Sequence, residues 1–267
     1  MSHRQAGREA FGLLLKEWRR VRRKSQLAVA LEAEVSPRHL SFVESGRSVP
    51  SREMVSTLAD ALEIPLRERN ALLVAAGYAP VHPEGALASN QMTQIRQALD
   101  RLLRHQEPYP AVVLDRQWNI LQTNGSAPKF FGLFVDPGTL PQPVNLIRSM
   151  FDPSAFRPWV SNWNEVSETL VQRVFGEAVA GVPDPKVLGL LDDLQKFGGV
   201  PPLKPRALSG ELPFMPIHFR KEDLSLRFFS MVTTVGAPAD ITAQELRIES
   251  LFPADEATET FARANFQ

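Results

Sequence analysis

Apolar side chains recur three and four positions apart through the first eighty residues, the spacing of one buried face on a helix. Phe11, Leu14, Leu15 and Trp18 predict a first helix ending near the basic cluster Arg19–Lys24. Ser25 stands where an N-cap oxygen would accept from the opening turn of a second helix. Leu27, Ala30, Leu31 and Ala33 give that helix its stripe, and Val35 plugs the turn after it. Ser36-Pro37 pairs an N-cap with proline at the first helical position, where a missing N–H costs nothing. Leu40 and Val43 then point inward, and Arg38, Ser41, Phe42 and Ser45 lie on the opposite face. Gly46 closes this third helix and Arg47 follows it. Ser51 starts a fourth helix with Met54, Leu58 and Leu62 inward. The stretch from Pro65 to Tyr78 makes a fifth, carrying Leu66, Leu72, Leu73 and Ala76.

Beyond a Pro/Gly-bearing stretch the pattern changes. Met92, Ile95, Leu99, Leu102 and Leu103 predict a helix to about Gln106. Ala111–Asp115 and Trp118–Thr123 read as a hairpin. A short helix bearing Phe130, Phe131 and Phe134 follows. Asn145–Phe151 opens another helical region, and a longer helix is expected from about Ser154 with Trp159, Trp163, Val166, Leu170 and Val174 on one stripe. Pro185 opens a helix with Val187, Leu190, Leu191 and Leu194, and Gly198–Pro213 reads as a loop. Phe214–Phe219, Leu224–Val235 and Gln244–Phe252 read as late strands. The chain therefore divides into an all-α domain over 1–80, a linker over 81–91 and a domain over 92–267. The last is expected to be α+β with an antiparallel sheet.

Charge sharpens this division. The formal net charge is zero, from 30 basic and 30 acidic side chains. Residues 1–80 nevertheless hold 13 basic against 9 acidic side chains, and the remainder 17 against 21. A basic part joined to an acidic part fits nucleic-acid contact by the first domain alone. The absence of cysteine excludes disulfides and thiolate metal sites and suits a reducing cytoplasm. No run of 18 apolar residues predicts a membrane span, and no signal peptide is expected. The five histidines are scattered without ligand spacing, so no metal is expected. No nucleotide-binding glycine motif or nucleophile elbow is present, so no catalytic residue is named and an enzyme is not expected.

The segment Phe11–Pro80 resembles the xenobiotic-response-element family of helix-turn-helix domains, kin to Cro and lambda repressor. The matching residues are Ser25-Gln26, Val29-Ala30, Ala33, Val35-Ser36, Leu40, Glu44-Ser45-Gly46-Arg47 and Pro50-Ser51. Glu34 departs from the pattern, because that turn position, where positive φ is common, usually holds glycine. The resemblance implies a recognition helix entering the major groove. It puts Arg38 and Phe42 at base-facing positions, where arginine pairs with guanine and phenylalanine packs on a thymine methyl. His39 and Ser41 flank them, Ser36 begins the helix, and Gln26, Ser45, Arg47 and Arg52 are expected on phosphates.

Residues from about 93 to 260 are similar to the MmyB-like ligand-binding domain, a PAS-like module found behind such helix-turn-helix domains. The similarity rests on the segments from Pro110 to Asn124, Asn145 to Pro153 and Leu246 to Asp255. It implies a small-molecule ligand between sheet and helices, in a homodimeric regulator bound to double-stranded DNA. Its wealth of aromatics suggests an apolar guest such as a fatty acid, with no cofactor required. Trp118, Phe130, Phe131, Trp159, Trp163, Phe229 and Met231 are the candidate lining, and Asn124, Arg148 and His218 the candidate polar end. Core packing is the ordinary explanation for any one aromatic, and a surface ion pair for Arg148. Two other readings compete: a lipid carrier or enzyme-like domain with an accessory helix-turn-helix, and an antitoxin-like interaction module.

Overall fold

The computed structural model describes residues 3–179, 185–198 and 214–266. Within them the chain forms two compact units. The first is built chiefly from residues up to Gly85, together with Ala237–Gln244. The second takes Ala86–Ala178, most of the chain up to Gly236, and Glu245 onward. The loop expected over Gly198–Pro213 lies outside the described residues except for Gly198.

In the first unit, helices α1 (His3–Val21), α2 (Gln26–Glu32), α3 (Pro37–Glu44), α4 (Arg52–Ala61) and α5 (Leu66–Ala75) follow the expected order. Ser25, Ser36 and Ser51 cap α2, α3 and α4, accepting from Ala28, His39 and Met54 N–H. Each of the five helices ends in the same way. A residue in the left-handed region (Arg23, Glu34, Gly46, Glu63 or Gly77) turns the chain, and the N–H after it returns to a carbonyl five residues back. These are Schellman closures, in which glycine is favoured because a Cβ crowds the carbonyl. Glu34 has φ of 53°, so the sequence departure leaves the turn geometry in place and puts its cost on one residue. Gly12 serves contact instead: a Cβ there would lie 2.4 Å from the Glu44 carbonyl oxygen, so only glycine lets α1 approach the end of α3 this closely.

The core of this unit gathers Phe11, Leu15, Trp18, Val29, Leu40, Val43, Leu58 and Leu72. The expected α2 stripe is corrected in part. Ala30 and Ala33 are buried with Val29, whereas Leu27 and Leu31, four apart on the other side of a short helix, are 57% and 69% exposed. The stretch after α5 is tied down by Asn70. Its side-chain oxygen accepts from Val81 and His82 N–H while its amide donates to the His82 carbonyl. A helix α11 (Ile241–Glu245), not expected from the sequence, begins within this unit. Ile241 N–H donates to the Pro83 carbonyl, and Gln244 Oε1 accepts from Leu66 N–H at 2.8 Å. Pro65 provides no side-chain cap for α5, so Gln244 serves the first turn of that helix from a distant part of the chain.

The second unit is α+β. Strands β1 (Ala111–Leu114), β2 (Ile120–Thr123), β3 (Ile217–Lys221), β4 (Leu224–Thr234) and β5 (Arg247–Pro253) form one antiparallel sheet ordered β2-β1-β5-β4-β3. Around it lie α6 (Thr93–Gln106), α7 (Ser126–Gly132), α8 (Leu146–Phe151), α9 (Trp163–Val179), α10 (Pro185–Lys196) and α12 (Glu256–Asn265). The long helix expected from Ser154 starts only at Trp163. A short 3-10 turn over Arg157–Trp159 contains Pro158, which cannot donate, and Val160 then bridges to Phe219 in extended geometry. Helix α12 carries no signal used in the sequence reading, although Asp255 caps it through Thr258 N–H. Register places Val112, Glu249 and Val232 side by side on one face of β1, β5 and β4, with Leu251 two residues along.

Candidate DNA interface and ligand cavity

Helix α3 presents the candidate base readers. Leu40 and Val43 are buried, while Arg38, His39 and Ser45 are exposed and Ser41 and Phe42 half-buried. Two guanidiniums lie over the Phe42 ring, with Arg38 Cζ 5.4 Å and Arg47 Cζ 5.9 Å from its centroid. Arg52 lies 5.7 Å from the Tyr78 ring. Among the described residues none of these three arginines forms a salt bridge, and Arg52 has Glu53 only as a charge neighbour. Stacking on a ring holds a guanidinium without neutralising it, which leaves its N–H donors for phosphate or guanine.

The basic cluster at the end of α1 is spent differently. Arg19 forks onto Glu44 at 2.7 and 3.1 Å, Arg20 pairs with Glu17, Lys24 with Glu32, and Arg22 donates to the Leu62 and Glu63 carbonyls. The Glu44 side chain is only 5% exposed. Gln26 Nε2 donates to it at 2.7 Å, so this candidate phosphate contact holds an internal partner here. Ser36 is occupied as a cap, and the Ser45 hydroxyl donates to the Phe42 carbonyl. Thus α1 braces the foot of α3, and among the described residues Arg23, Arg38, Arg47 and Arg52 form no ion pair.

In the second unit an apolar cavity of about 50 Å3 opens between the sheet and α7, α8 and α9. Val112, Leu251 and Phe219 come from strands, Ile147 and Met150 from α8, and Leu170 from α9. Of the proposed lining residues, Trp118, Phe130 and Phe131 are at this wall. Trp118 is fully buried with φ of 70°, a conformation uncommon for a bulky side chain. Arg173 and Arg247 each stack on it at 4.4 Å, and its indole N–H donates to Glu177. Phe130 is the hub of an aromatic cluster, meeting Phe219, Phe228 and Phe266 edge to face.

The other candidates lie elsewhere. Asn124 is buried as a structural bracket, accepting from Ala111 and Ala127 N–H and donating to the Tyr109 carbonyl. Arg148 pairs with Asp193 on the exposed side of α8. Trp163 packs edge-on to Phe151 under Arg157, and Trp159 lies beneath Lys221. His218 pairs through its backbone with Ser161 and Asn162, and burial holds its imidazole below its usual pKa. Phe229 stacks between Phe214 and Phe252, and Met231 is 56% exposed. The sequence reading missed Glu249, the charged residue in the cavity wall; its signal was a carboxylate at an inward position of an apolar strand.

These two arrangements define a class: a helix-turn-helix domain joined to an α+β domain with an apolar cavity between sheet and helices. Comparison with known proteins gives the family. Residues 95–264 match the MmyB-like transcription regulator ligand binding domain, and residues 10–72 match a helix-turn-helix domain. The chain belongs to the family of MmyB-like transcription regulators, and is a DNA-binding transcription regulator with a ligand-binding domain. No curated protein matches it. Among solved structures, the clp gene regulator ClgR from Corynebacterium glutamicum is 25% identical, over 38% of this chain and 95% of its own, with a TM-score of 0.24. An RNA-binding light-oxygen-voltage receptor is 11% identical, over 97% of this chain and 62% of its own, with a TM-score of 0.28. Among the described residues no helix is long and apolar enough to cross a membrane, and no acidic or histidine cluster is placed to hold a metal.

Proposed function

We propose that the protein is a homodimeric regulator, working in the cytoplasm, whose grip on an operator depends on a slender apolar molecule. That molecule is fatty-acid-like in having an alkyl chain with a small polar end, and it sits in the cavity of a PAS-like domain. The observation that carries this reading is the cavity wall, apolar throughout except at Glu249. Drug-sized ligands use cavities of ~300–1,000 Å3. A volume of about 50 Å3 therefore favours a thin chain over fused rings, and a long chain requires the wall to part. The antiparallel order β2-β1-β5-β4-β3, with helices against the sheet, supports the PAS-like description. Arg38, Phe42 and their neighbours would read bases, and Gln26, Ser45, Arg47 and Arg52 would hold phosphates after Gln26 exchanges Glu44 for DNA.

The route we infer for the signal is the polypeptide itself. Ala237–Gln244 connects β4 to β5 in sequence yet belongs to the DNA-binding unit, and Gln244 lies five residues before Glu249. A ligand that binds one cavity state better than another would bias the placement of this segment. The test is footprinting of the gene's own upstream DNA with protein stripped of bound lipid, then with the extracted lipid returned. Two protected half-sites ~34 Å apart, with occupancy changed by the extract, are expected. Identical protection in both states would remove the ligand from the proposal, and no protection anywhere would remove operator binding.

A further inference from the structure

The surroundings of Glu249 specify what the polar end of a guest must offer. Glu249 is 8% exposed and is the charged residue of the cavity wall among the described residues. Its ionic partner is Arg173, whose Nη1 lies 3.3 and 3.4 Å from the two carboxylate oxygens. Charge-assisted bonds usually run to ~2.7–2.9 Å, so this contact leaves much of the carboxylate's acceptor capacity unused. The guanidiniums nearby are already committed. Arg247 pairs with Glu177 and donates to the Asp115 and Arg116 carbonyls, while Arg173 Nε also lies 3.5 Å from Glu177. Both lie over Trp118, which also lines the cavity and donates its indole N–H to Glu177. Two guanidiniums and two carboxylates make a balanced set. A ligand carboxylate would be a third anion beside Glu249, in a site of low polarity where like charges repel strongly.

We propose that the guest meets Glu249 with a neutral hydrogen-bond donor, and that the recognised class is an alkyl chain ending in an alcohol or primary amide rather than an ionised fatty acid. This rests on reading the cavity as the ligand site. An O–H or N–H aimed at Glu249 satisfies the carboxylate without adding charge, and the apolar wall takes the tail.

The test is calorimetric titration of the full-length, lipid-stripped protein with 1-octanol, octanamide, methyl heptanoate and sodium octanoate at neutral pH. The alcohol and amide should bind at least about ten-fold more tightly than the ester, which lacks a donor, and than the anion. In Glu249→Gln the repelling charge is gone and Arg173 is released, so octanoate should gain about ten-fold on octanol. The order in the unaltered protein needs no variant, and the thermal midpoint of Glu249→Gln reports whether that variant folds. Octanoate binding as tightly as octanol, or the ester matching the alcohol, would overturn the donor proposal alone. Failure of all four compounds to bind would overturn the apolar-ligand reading and this proposal with it.

Discussion

Removing Arg19 should unseat α3, because its guanidinium is turned inward onto Glu44 at the end of that helix. In Arg19→Met the apolar stem is kept and the guanidinium lost. Glu44, with its side chain 5% exposed, then loses two hydrogen bonds of 2.7 and 3.1 Å and keeps only the Gln26 amide. Breaking one side of a buried ion pair costs ~3–5 kcal/mol, and the surviving Gln26 bond puts this case at the lower end, about 3 kcal/mol. A unit of this size has a stability of roughly 4–12 kcal/mol, so the loss is a large share of it. Hydrogen exchange measured on peptides from α3 in the full chain should speed up about 100-fold or more, and operator affinity should fall with it. The double variant Arg19→Met/Glu44→Leu replaces both charges with apolar groups and should recover to within about 1 kcal/mol of the native protein. A single-variant change below about 1 kcal/mol, or a double variant as damaged as the single, would refute the claim that this pair braces α3.

Glu34→Gly should stabilise the same unit by about 0.5–1 kcal/mol, because glycine takes the φ of 53° without the Cβ penalty; slower exchange at the α2–α3 turn is the readout. Arg38→Ala should cost ~1–3 kcal/mol at the operator and relax preference at one base, whereas Arg47→Ala should weaken all sequences alike and reduce the salt slope by about 1; binding isotherms across salt concentrations separate them. Gln244→Ala should raise exchange at the first amides of α5 by an amount equivalent to about 1 kcal/mol, since it removes the acceptor for Leu66 N–H. Burial holds the imidazoles of His82 and His218 below their usual pKa near ~6.5, so the unfolded chain binds more protons. Stability should therefore fall as pH drops below ~6.5, and a denaturant midpoint that is flat or rises from pH 7 to 5.5 would contradict this.

Much of the first unit was legible because its signals are local. Ser25, Ser36 and Ser51 each stand one residue before an apolar-periodic run, and each accepts a first-turn N–H in the structure. The α2 stripe misled because seven residues are too few to fix a face: Leu27 and Leu31 are larger than Ala30, yet they point outward. Gly12 was silent in the sequence because its role is an approach to the carbonyl of Glu44, thirty-two positions away. The ligand end was read less well for the same physical reason. Which of many aromatics borders a cavity depends on sheet register and helix placement, so Trp118, Phe130 and Phe131 meet at the wall while Phe229 stacks on the opposite pleat. Asn124 and Arg148 have the chemistry of a ligand anchor, but their partners, Ala111, Ala127 and Asp193, are distributed along the chain.

Charge shows most clearly why pairing has to be known before function can be read. Counted along the chain, Arg19–Lys24 is the densest run of positive charge, and Arg38, Arg47 and Arg52 are isolated. In the fold part of that run is neutralised: Arg19, Arg20 and Lys24 pair with Glu44, Glu17 and Glu32. Arg22 lies over Trp18 and on helix-end carbonyls, while the exposed Arg23 keeps its charge, as do the three later arginines on their aromatic rings. The same accounting at Trp118 gives the opposite outcome, since two guanidiniums and two carboxylates there leave no net charge for an anionic guest. On the proposed reading, phosphate and ligand are sorted by which arginines already have carboxylate partners: α3 and its flank keep positive charge for DNA, and the cavity would offer a carboxylate to a neutral donor.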